Sequence, residues 1–201
     1  MDSVTKYKTI EAPTTGEFRD RGSKFFAFAY PVNTVEEIKE KVKELKKEHP
    51  KAVHHCVAYR LGTDGNIYKA ADDGEPSGSA GKPMLGQIDS SEVTNVLVVV
   101  VRYFGGSLLG VPGLINAYKT ATAEALQVAT IIEKWIEKKV ELDFDYPLMG
   151  EVLYILKQGE ATIYKQDLQL FCNVIAGVPL AFYDEAVGKL SQMHGVKLKE
   201  L

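Results

Sequence analysis

The fold of the second half of the chain is decided by residues 138–201, which read KKVELDFDYPLMGEVLYILKQGEATIYKQDLQLFCNVIAGVPLAFYDEAVGKLSQMHGVKLKEL. The stretch KVELDFDY alternates between polar and apolar residues, which predicts a half-buried strand. Pro147 then opens a helix, because proline is favoured at the first helical position. Gly159 follows that helix at the position where glycine commonly ends one.

Two more strands and a second helix complete this half of the chain. Residues 161–167 and 168–177 have the composition of strands, and Pro179 begins a helix that ends before Gly195. The last six residues, VKLKEL, alternate as a final strand. The resulting order, β-α-β-β-α-β, is the ferredoxin-like arrangement, so we predict a ferredoxin-like C-terminal domain over residues 133–201.

The first half of the chain, residues 1–132, begins with strands and a capped helix. Thr34 and Glu37 form the S/T-x-x-E pattern that caps a helix, which we predict to run to about Glu48. The positions with helical spacing form its predicted buried stripe: Val35, Ile38, Val42 and Leu45.

Strands in this half are predicted at residues 7–12, 25–32, 53–61 and 96–104. The last of them is a continuous β-branched run, which indicates a central strand buried on both faces. We interpret residues 63–66 as a hairpin turn, residues 16–24 as a charged turn and residues 129–137 as a connection. A second helix is predicted over residues 114–128, with Ile115 among its inward-facing residues. The whole pattern predicts the α+β class with two domains.

The overall composition excludes several broad classes of protein. A net charge of −3 gives the chain no general basic field that would draw it onto nucleic acid, so such a contact would need a local patch. Cys56 and Cys172 form no CxxC pair, and we predict two reduced, buried thiols. The N-terminus lacks the pattern of a signal peptide, and the longest apolar run, residues 96–101, is too short to span a membrane. We therefore expect a soluble, cytoplasmic protein without a membrane partner, and its oligomeric state is left open.

Two glycine-rich segments are the candidates for function: residues 72–83, DDGEPSGSAGKP, and residues 102–110, RYFGGSLLG. Glycine lets the backbone approach a ligand or another chain closely. The second segment leads into a helix, whose first amides have no partner within the helix. The residues that we predict for an anion-binding or partner-binding site are Asp72, Asp73, Glu75, Ser77, Ser79, Lys82, Arg102, Tyr103, Gly105 and Gly106.

Two interpretations of Arg102 stay open at this stage. In the first, Arg102 and Lys82 hold an anion such as phosphate in front of the helix start. In the second, Arg102 pairs with Asp72, Asp73 or Glu75 and ties the two segments together, because a buried arginine usually needs such a partner.

Standard catalytic and nucleotide-binding motifs are not found in the sequence. The P-loop pattern fails, since Pro76 stands at its first glycine and Pro83 replaces its magnesium-binding hydroxyl. Ser79 does not lie in G-x-S-x-G, and we predict no catalytic residue, no metal site and no cofactor. The alternative is a metal-dependent, peptidase-type hydrolase that uses the acidic segment with His54 or His55. Only one of these histidines can face such a site, because neighbours on a strand point to opposite faces.

The two segments together resemble the YigZ/IMPACT family. The pattern D-D-G-E-P-x-G-[small hydroxyl]-A-G-x-P matches residues 72–83. The pattern R-[aromatic]-[aromatic]-G-G-x-x-L-G matches residues 102–110, and GLINAY follows it. The resemblance covers about residues 15–128, and the second half looks like the C-terminal domain of the bacterial members.

This resemblance implies a fold and a biological setting. It implies an N-terminal domain like the second domain of small-subunit ribosomal protein five, and a ferredoxin-like C-terminal domain like that of elongation factor G. Both folds recur in translation proteins, and eukaryotic relatives restrain a kinase that controls translation initiation by binding its ribosome-associated activator. We therefore predict a non-enzymatic binding protein linked to translation or its regulation, whose partner is RNA, the ribosome or a translation-associated protein.

Overall fold

The structure is a computed structural model and describes residues 4–201. Its first half contains, in order, β1 (Lys6–Ile10), β2 (Thr14–Asp20), β3 (Ser23–Pro31), α1 (Val35–Glu48), β4 (His54–Leu61), β5 (Ile67–Ala71), α2 (Gly81–Ser90), β6 (Val96–Tyr103), α3 (Gly110–Gln127) and β7 (Ile131–Trp135). The second half continues with β8 (Glu137–Asp145), a 3₁₀ turn (Tyr146–Leu148), α4 (Met149–Gln158), β9 (Thr162–Leu168), β10 (Phe171–Pro179), α5 (Tyr183–Gln192) and β11 (Val196–Glu200).

The first half is built on a five-stranded sheet with the order β2-β3-β6-β4-β5. Strand β6 lies at its centre and is antiparallel to both β3 and β4. Residues 96–101 of β6 are fully buried, as expected for β-branched side chains that are covered on both faces of a sheet. The prediction of a central buried strand is therefore confirmed.

Helices cover the two faces of this sheet unequally. The even-numbered residues 96–100 of β6 pack in one core with the buried side chains of α2 and α3. The odd-numbered residues 97–101 pack in a second core with Ile38 and Leu45 of α1. One face therefore carries two helices, and the other carries α1 alone.

The second half forms a four-stranded antiparallel sheet with the order β11-β8-β10-β9. Alternate residues of β8 and β10, such as Leu142 and Val174, are fully buried in one core with α4 and α5. This strand order and the sequence of elements are those of the ferredoxin-like arrangement. The predicted α+β fold class is confirmed.

Several local predictions for the first half were wrong, each because tertiary contacts override a weak local signal. Residues 16–24 contain most of β2, a polar edge strand held by its register with β3, in which Phe18 pairs with Phe25. Helix α2 was missed because two glycines and a proline obscure its pattern, although Met84 and Ile88 are buried four residues apart. The expected connection contains β7, which pairs with the distant β1.

Two predictions about helix positions also need correction. Helix α3 begins at Gly110, four residues before the predicted start, and Ile115 is 38% exposed rather than turned inward. Helix α5 begins at Tyr183 rather than at Pro179. Gly159 follows α4 as predicted but has a negative φ of −81°, and the next residue, Glu160, adopts the positive φ.

The chain divides into two compact units, and the division falls between Lys134 and Trp135 in the sequence. The described residues before Tyr7 belong to the C-terminal unit. The domain boundary predicted between residues 132 and 133 stays a prediction. Among residues 4–201, no helix combines the length and apolar character needed to cross a membrane.

Candidate functional site

The first glycine-rich segment is folded around the carboxylate of Asp72. Its Oδ1 accepts hydrogen bonds from the amides of Ala80 and Gly81, at 3.0 and 2.8 Å, and its Oδ2 accepts from Gly78 at 2.8 Å. Burial acts to raise the pKa of Asp72, but the three amide donors outweigh it and leave this pKa below its ordinary value. Asp72 therefore closes the loop and caps the start of α2.

Glu75 is the centre of a buried polar cluster that joins the two segments. Its Oε1 accepts a hydrogen bond from Arg102 Nη1 at 2.6 Å and another from the hydroxyl of Tyr118 in α3 at 2.7 Å. The side chains of Glu75 and Arg102 are only 3% and 7% exposed. The structure thus has the ion-pair arrangement of Arg102, the second of the two interpretations left open by the sequence.

The guanidinium of Arg102 lies between two aromatic rings, 5.4 Å from the centre of Phe25 and 5.7 Å from that of Phe104. Such cation–π contacts suit a guanidinium that is largely removed from water. Its Nε is buried without a hydrogen-bond partner among the described residues. Arg102 is therefore held in place by Glu75 and the two rings.

His54 and His55 lie on opposite faces of the sheet, which confirms the prediction made from their adjacency. Nδ1 of His54 is 2.7 Å from the carbonyl oxygen of Asp73, and because a carbonyl only accepts, this nitrogen carries the proton. Its Nε2 lies 3.8 Å from Glu75. His55 faces the α1 side, where burial and the charge of Lys46 lower its pKa.

Cys56 and Tyr118 lie on the buried side of the cluster. The thiol of Cys56 donates to the carbonyl of Asp72 at 3.0 Å, and burial raises the pKa of this thiol to about 12. Burial and the neighbouring Cys56 raise the pKa of Tyr118 as well. Both groups stay protonated at neutral pH, so neither is an activated nucleophile. The prediction that Cys56 and Cys172 are buried, unpaired thiols is confirmed.

The second segment depends on two glycines for different reasons. A Cβ on Gly105 would collide with the backbone of Gly22 and Ser23 in the β2–β3 turn, and the Gly105 amide donates to the Ser23 hydroxyl at 3.1 Å. Gly106 has a φ of +87°, a conformation that favours glycine. The GG pair thus lets this segment pack against a neighbouring turn and then reverse direction.

The ten predicted site residues do not form one surface. Glu75, Ser79 and Arg102 are buried, and Asp72 is half-buried with its carboxylate bonded to the loop. The exposed residues of the set are Asp73, Ser77, Lys82, Gly105 and Gly106.

Tyr103 lies on the other face of the sheet. Its hydroxyl is 2.9 Å from Nδ1 of His49, and its ring packs edge-on against Phe26. The alternation of side chains along β6 places Tyr103 and Arg102 on opposite faces, so Tyr103 takes no part in the loop cluster.

Sequence reasoning missed two parts of the site. Tyr118, the last residue of GLINAY, was expected to be inward-facing, but its hydrogen bond to Glu75 was not foreseen. The exposed apolar side chains around the second segment were also missed: Phe104, Leu108, Val111 and Ile115 are 48%, 83%, 46% and 38% exposed. Val111 and Ile115 are one helical turn apart, which was the available signal for a shared outer stripe.

The acidic residues of the first segment bond to three different sets of partners. Asp72 binds backbone amides, Glu75 binds Arg102 and Tyr118, and Asp73 accepts from the amide of His55 at 2.7 Å. Among residues 4–201, no group of three or more histidine, cysteine or acidic side chains is placed to hold a metal ion. The geometry does not favour the hydrolase alternative.

Comparison with known proteins supports the resemblance. Residues 21–126, which contain both segments, match the family described as the Impact N-terminal domain. The chain is 36% identical over 182 residues to the IMPACT family member YigZ of Escherichia coli, covering 90% of this chain and 89% of that protein. This chain belongs to the IMPACT family.

One more member of the IMPACT family and two solved structures are also similar to this chain. IMPACT family member YvyE of Bacillus subtilis is 35% identical over 154 residues, covering 77% of this chain and 71% of that protein. A solved structure described as a hypothetical protein superimposes with a TM-score of 0.77 at 33% identity, covering 98% of both chains. The structure of a two-domain translational regulator, Yih1, superimposes with a TM-score of 0.40 at 32% identity, covering 60% of this chain and 48% of that chain.

Proposed function

We propose that this protein is a non-enzymatic binding protein that acts in translation or its regulation. We further propose that it presents the outer surface of the two glycine-rich segments to a translation-associated protein. The observation that carries this proposal is that the side chains of the two segments fall into two groups, one bonded within the chain and one exposed. Asp72, Glu75 and Arg102 hold the loops together, while the large apolar side chains of Phe104 and Leu108 point into solvent.

The internal bonds support binding rather than catalysis. Glu75, Arg102 and Asp72 are committed to partners within the chain, and the thiol of Cys56 is held protonated by burial. Loops that are fixed in this way lose little conformational entropy when a partner binds, which favours affinity. These contacts give Glu75, Arg102 and Asp72 a structural role in holding the loops to the rest of the unit.

The outer surface favours a protein partner over RNA. Leu108 at 83% exposure and Phe104 at 48% are large apolar side chains, which mark protein interaction sites when they cluster. Lys82 of the first segment is also exposed, but the whole chain has a net charge of −3. RNA binding would depend on phosphate contacts from a basic patch.

Family membership supports the link to translation. The yeast Protein IMPACT homolog is 41% identical over 96 residues, covering 45% of this chain and 36% of that protein. The family resemblance implies that such eukaryotic relatives act on translation initiation by binding a ribosome-associated protein. A docking surface on the domain that the two proteins share is consistent with this activity.

The test is co-sedimentation of the purified full chain with bacterial ribosomes at low and high salt, because the relatives of high coverage are bacterial. We expect co-sedimentation at both salt concentrations, since an apolar contact is less sensitive to salt than a phosphate contact. A Leu108→Glu variant is expected to lose most of it, and the matched control, Val128→Glu at a 66% exposed position, to retain it.

Each contrary outcome has a distinct meaning. Absence of co-sedimentation at low salt would overturn the ribosome-associated form of the proposal. A steep loss with salt that Leu108→Glu does not change would mean that the contact is made with RNA phosphates instead. Equal loss in both variants would show that the loop surface is not the docking site.

A further inference from the structure

A groove of about 490 Å³ lies on the sheet face opposite to the loop cluster, between helix α1 and strands β4 and β5. Apolar side chains line it: Val35, Ile38, Val42, Val57, Tyr59 and Ala71. Lysines complete the lining: Lys39, Lys43, Lys46 and Lys47 on α1, and Lys69 on β5. The groove therefore combines an apolar floor with cationic walls.

The shape of the groove matches a helix. Its α1 wall extends from Val35 to Lys47, which corresponds to about 18 Å at 1.5 Å per residue, or three helical turns. The opposite face of the same sheet carries two helices, and this face carries only α1. The groove occupies the place beside α1 where a second helix would pack on β4 and the edge strand β5.

The sequence of α1 explains why the groove stays open. Four apolar positions form its helical stripe, but only Ile38 and Leu45 are buried. Val35 and Val42 are half-buried and face the groove. Apolar residues of a helix that the protein's own core leaves partly exposed, as Val35 and Val42 are, indicate that another element packs along the same helix.

Charge is segregated around α1. Lys39, Lys43 and Lys46 follow one another at helical spacing along the groove wall, and Lys69 faces them from β5. Among the described residues that line the groove there is no carboxylate, although Asp73 lies 3.5 Å from Lys46.

We propose that this groove binds an acidic amphipathic helix of a partner protein, with the apolar stripe of that helix on the groove floor and its carboxylates on the lysines. Cationic walls on both sides of an apolar floor select an occupant whose apolar stripe is flanked by acidic residues on both edges. Single-stranded nucleic acid suits the groove less well, because Tyr59, the aromatic residue of its lining, is 9% exposed and presents no ring for base stacking. The groove shares no lining residue with the exposed apolar side chains of Phe104, Leu108, Val111 and Ile115.

The probe for this proposal is a synthetic, fluorescein-labelled helical peptide of about three to four turns. Its leucines follow the i, i+3, i+4, i+7 spacing and are flanked by glutamates. Binding to the full chain is measured by fluorescence anisotropy. A scrambled peptide of the same composition, a peptide with lysine in place of glutamate, and oligo-uridine RNA serve as comparisons.

The decisive protein variant is Lys39→Glu with Lys43→Glu. We expect it to weaken binding of the acidic peptide at least about tenfold, because two attractive contacts become repulsive. The control, Lys51→Glu with Lys119→Glu, changes the net charge equally at exposed positions outside the groove lining and is expected to bind as the wild type does. The groove variant is also expected to gain affinity for the lysine peptide.

Several results would overturn the proposal. Equal binding of the ordered and scrambled peptides would show that charge alone, and not an amphipathic helix, is recognised. Equal weakening in the groove and control variants would place the contact elsewhere. Tighter binding of oligo-uridine than of the acidic peptide, sensitive to the groove variant, would assign the groove to nucleic acid. A Leu108→Glu variant is expected to bind the peptide normally, so failure of the proposed function and failure of the groove proposal can be distinguished.

Discussion

Glu75 makes the contacts through which a loop, a strand and a helix meet in this protein. Its carboxylate accepts from Arg102 of β6 and from Tyr118 of α3, and all three side chains are buried. A buried ion pair is not a strong source of stability by itself, because both charges lose hydration. Removing one member is costly, however, because the other charge then lies buried and uncompensated.

We predict that Glu75→Gln lowers the free energy of unfolding of the N-terminal unit by about 3–5 kcal/mol, the range for breaking a buried pair. The measurement is hydrogen exchange of the amides of β6 and α3. The matched control is Glu92→Gln, which removes an exposed ion pair with Lys8 at 3.0 Å and should leave the exchange of these amides close to that of the wild type, because exposed pairs contribute little to stability. Similar effects of the two substitutions would show that the Glu75 pair is not the structural centre of the loops.

The sequence alone does not show which acidic residue of this cluster pairs with Arg102. The sequence identifies the two segments and leaves Arg102 with two possible roles. Glu75, rather than Asp72 or Asp73, pairs with Arg102 because of its position in the loop. That position depends on the turns that Asp72 closes. Such a choice between neighbouring carboxylates requires three-dimensional contacts that no periodic pattern encodes.

Among the secondary-structure elements, helix α2 shows how a local signal can be hidden. Its sequence, GKPMLGQIDS, contains residues that disfavour helices, and its first amides are bonded by the carboxylate of Asp72 from outside the helix. Strand β6 is the opposite case, since its β-branched run predicts a buried central strand from composition alone. The sequence therefore predicts elements whose local signal is strong. It misses β7, whose partner β1 is distant in sequence, and β2, whose polar residues give a weak strand signal although its partner β3 follows directly.

The contribution of Asp72 to α2 is predicted to depend on pH. The pKa of Asp72 in the folded protein lies below its ordinary value of 3.8, so the stabilisation is complete above that value and is lost as the pH falls through the folded pKa. Asp72→Asn should therefore destabilise the N-terminal unit by about 1–3 kcal/mol near neutral pH, because the amide nitrogen of Asn cannot accept the hydrogen bond from Gly78, and this difference from the wild type should shrink below pH 3.8.

The measurement is the free energy of unfolding of both proteins across this pH range. Asp20→Asn serves as the control, because it removes a carboxylate at the end of β2 without affecting the cap of α2. A difference between the wild type and Asp72→Asn that stays constant from neutral to acidic pH would show that the ionised carboxylate is not what stabilises the helix.

At the scale of the whole molecule, each hydrophobic core is built from residues of one half of the chain. The two clusters of the first half contain buried residues between Ile10 and Leu126, and the cluster of the second half contains buried residues between Val140 and Leu190. The ferredoxin-like order of the second half could be predicted because its alternation and its glycine and proline positions are regular. The functional surfaces could not be predicted, because exposure of Leu108 and of the α1 groove depends on which faces the neighbouring elements leave uncovered.

Separate cores predict separate unfolding transitions. Trp135, the single tryptophan, contacts Phe182 and donates to Glu160 at 2.9 Å, so its fluorescence reports on the C-terminal unit. Leu190→Ala removes a fully buried side chain of that unit and should lower its free energy of unfolding by about 2–5 kcal/mol. The fluorescence transition should move to lower urea concentration, while hydrogen exchange of β6 in the N-terminal unit stays unchanged. If exchange of β6 accelerates to the same extent, the two units unfold as one cooperative body, and each stability effect predicted above would then extend to the whole chain.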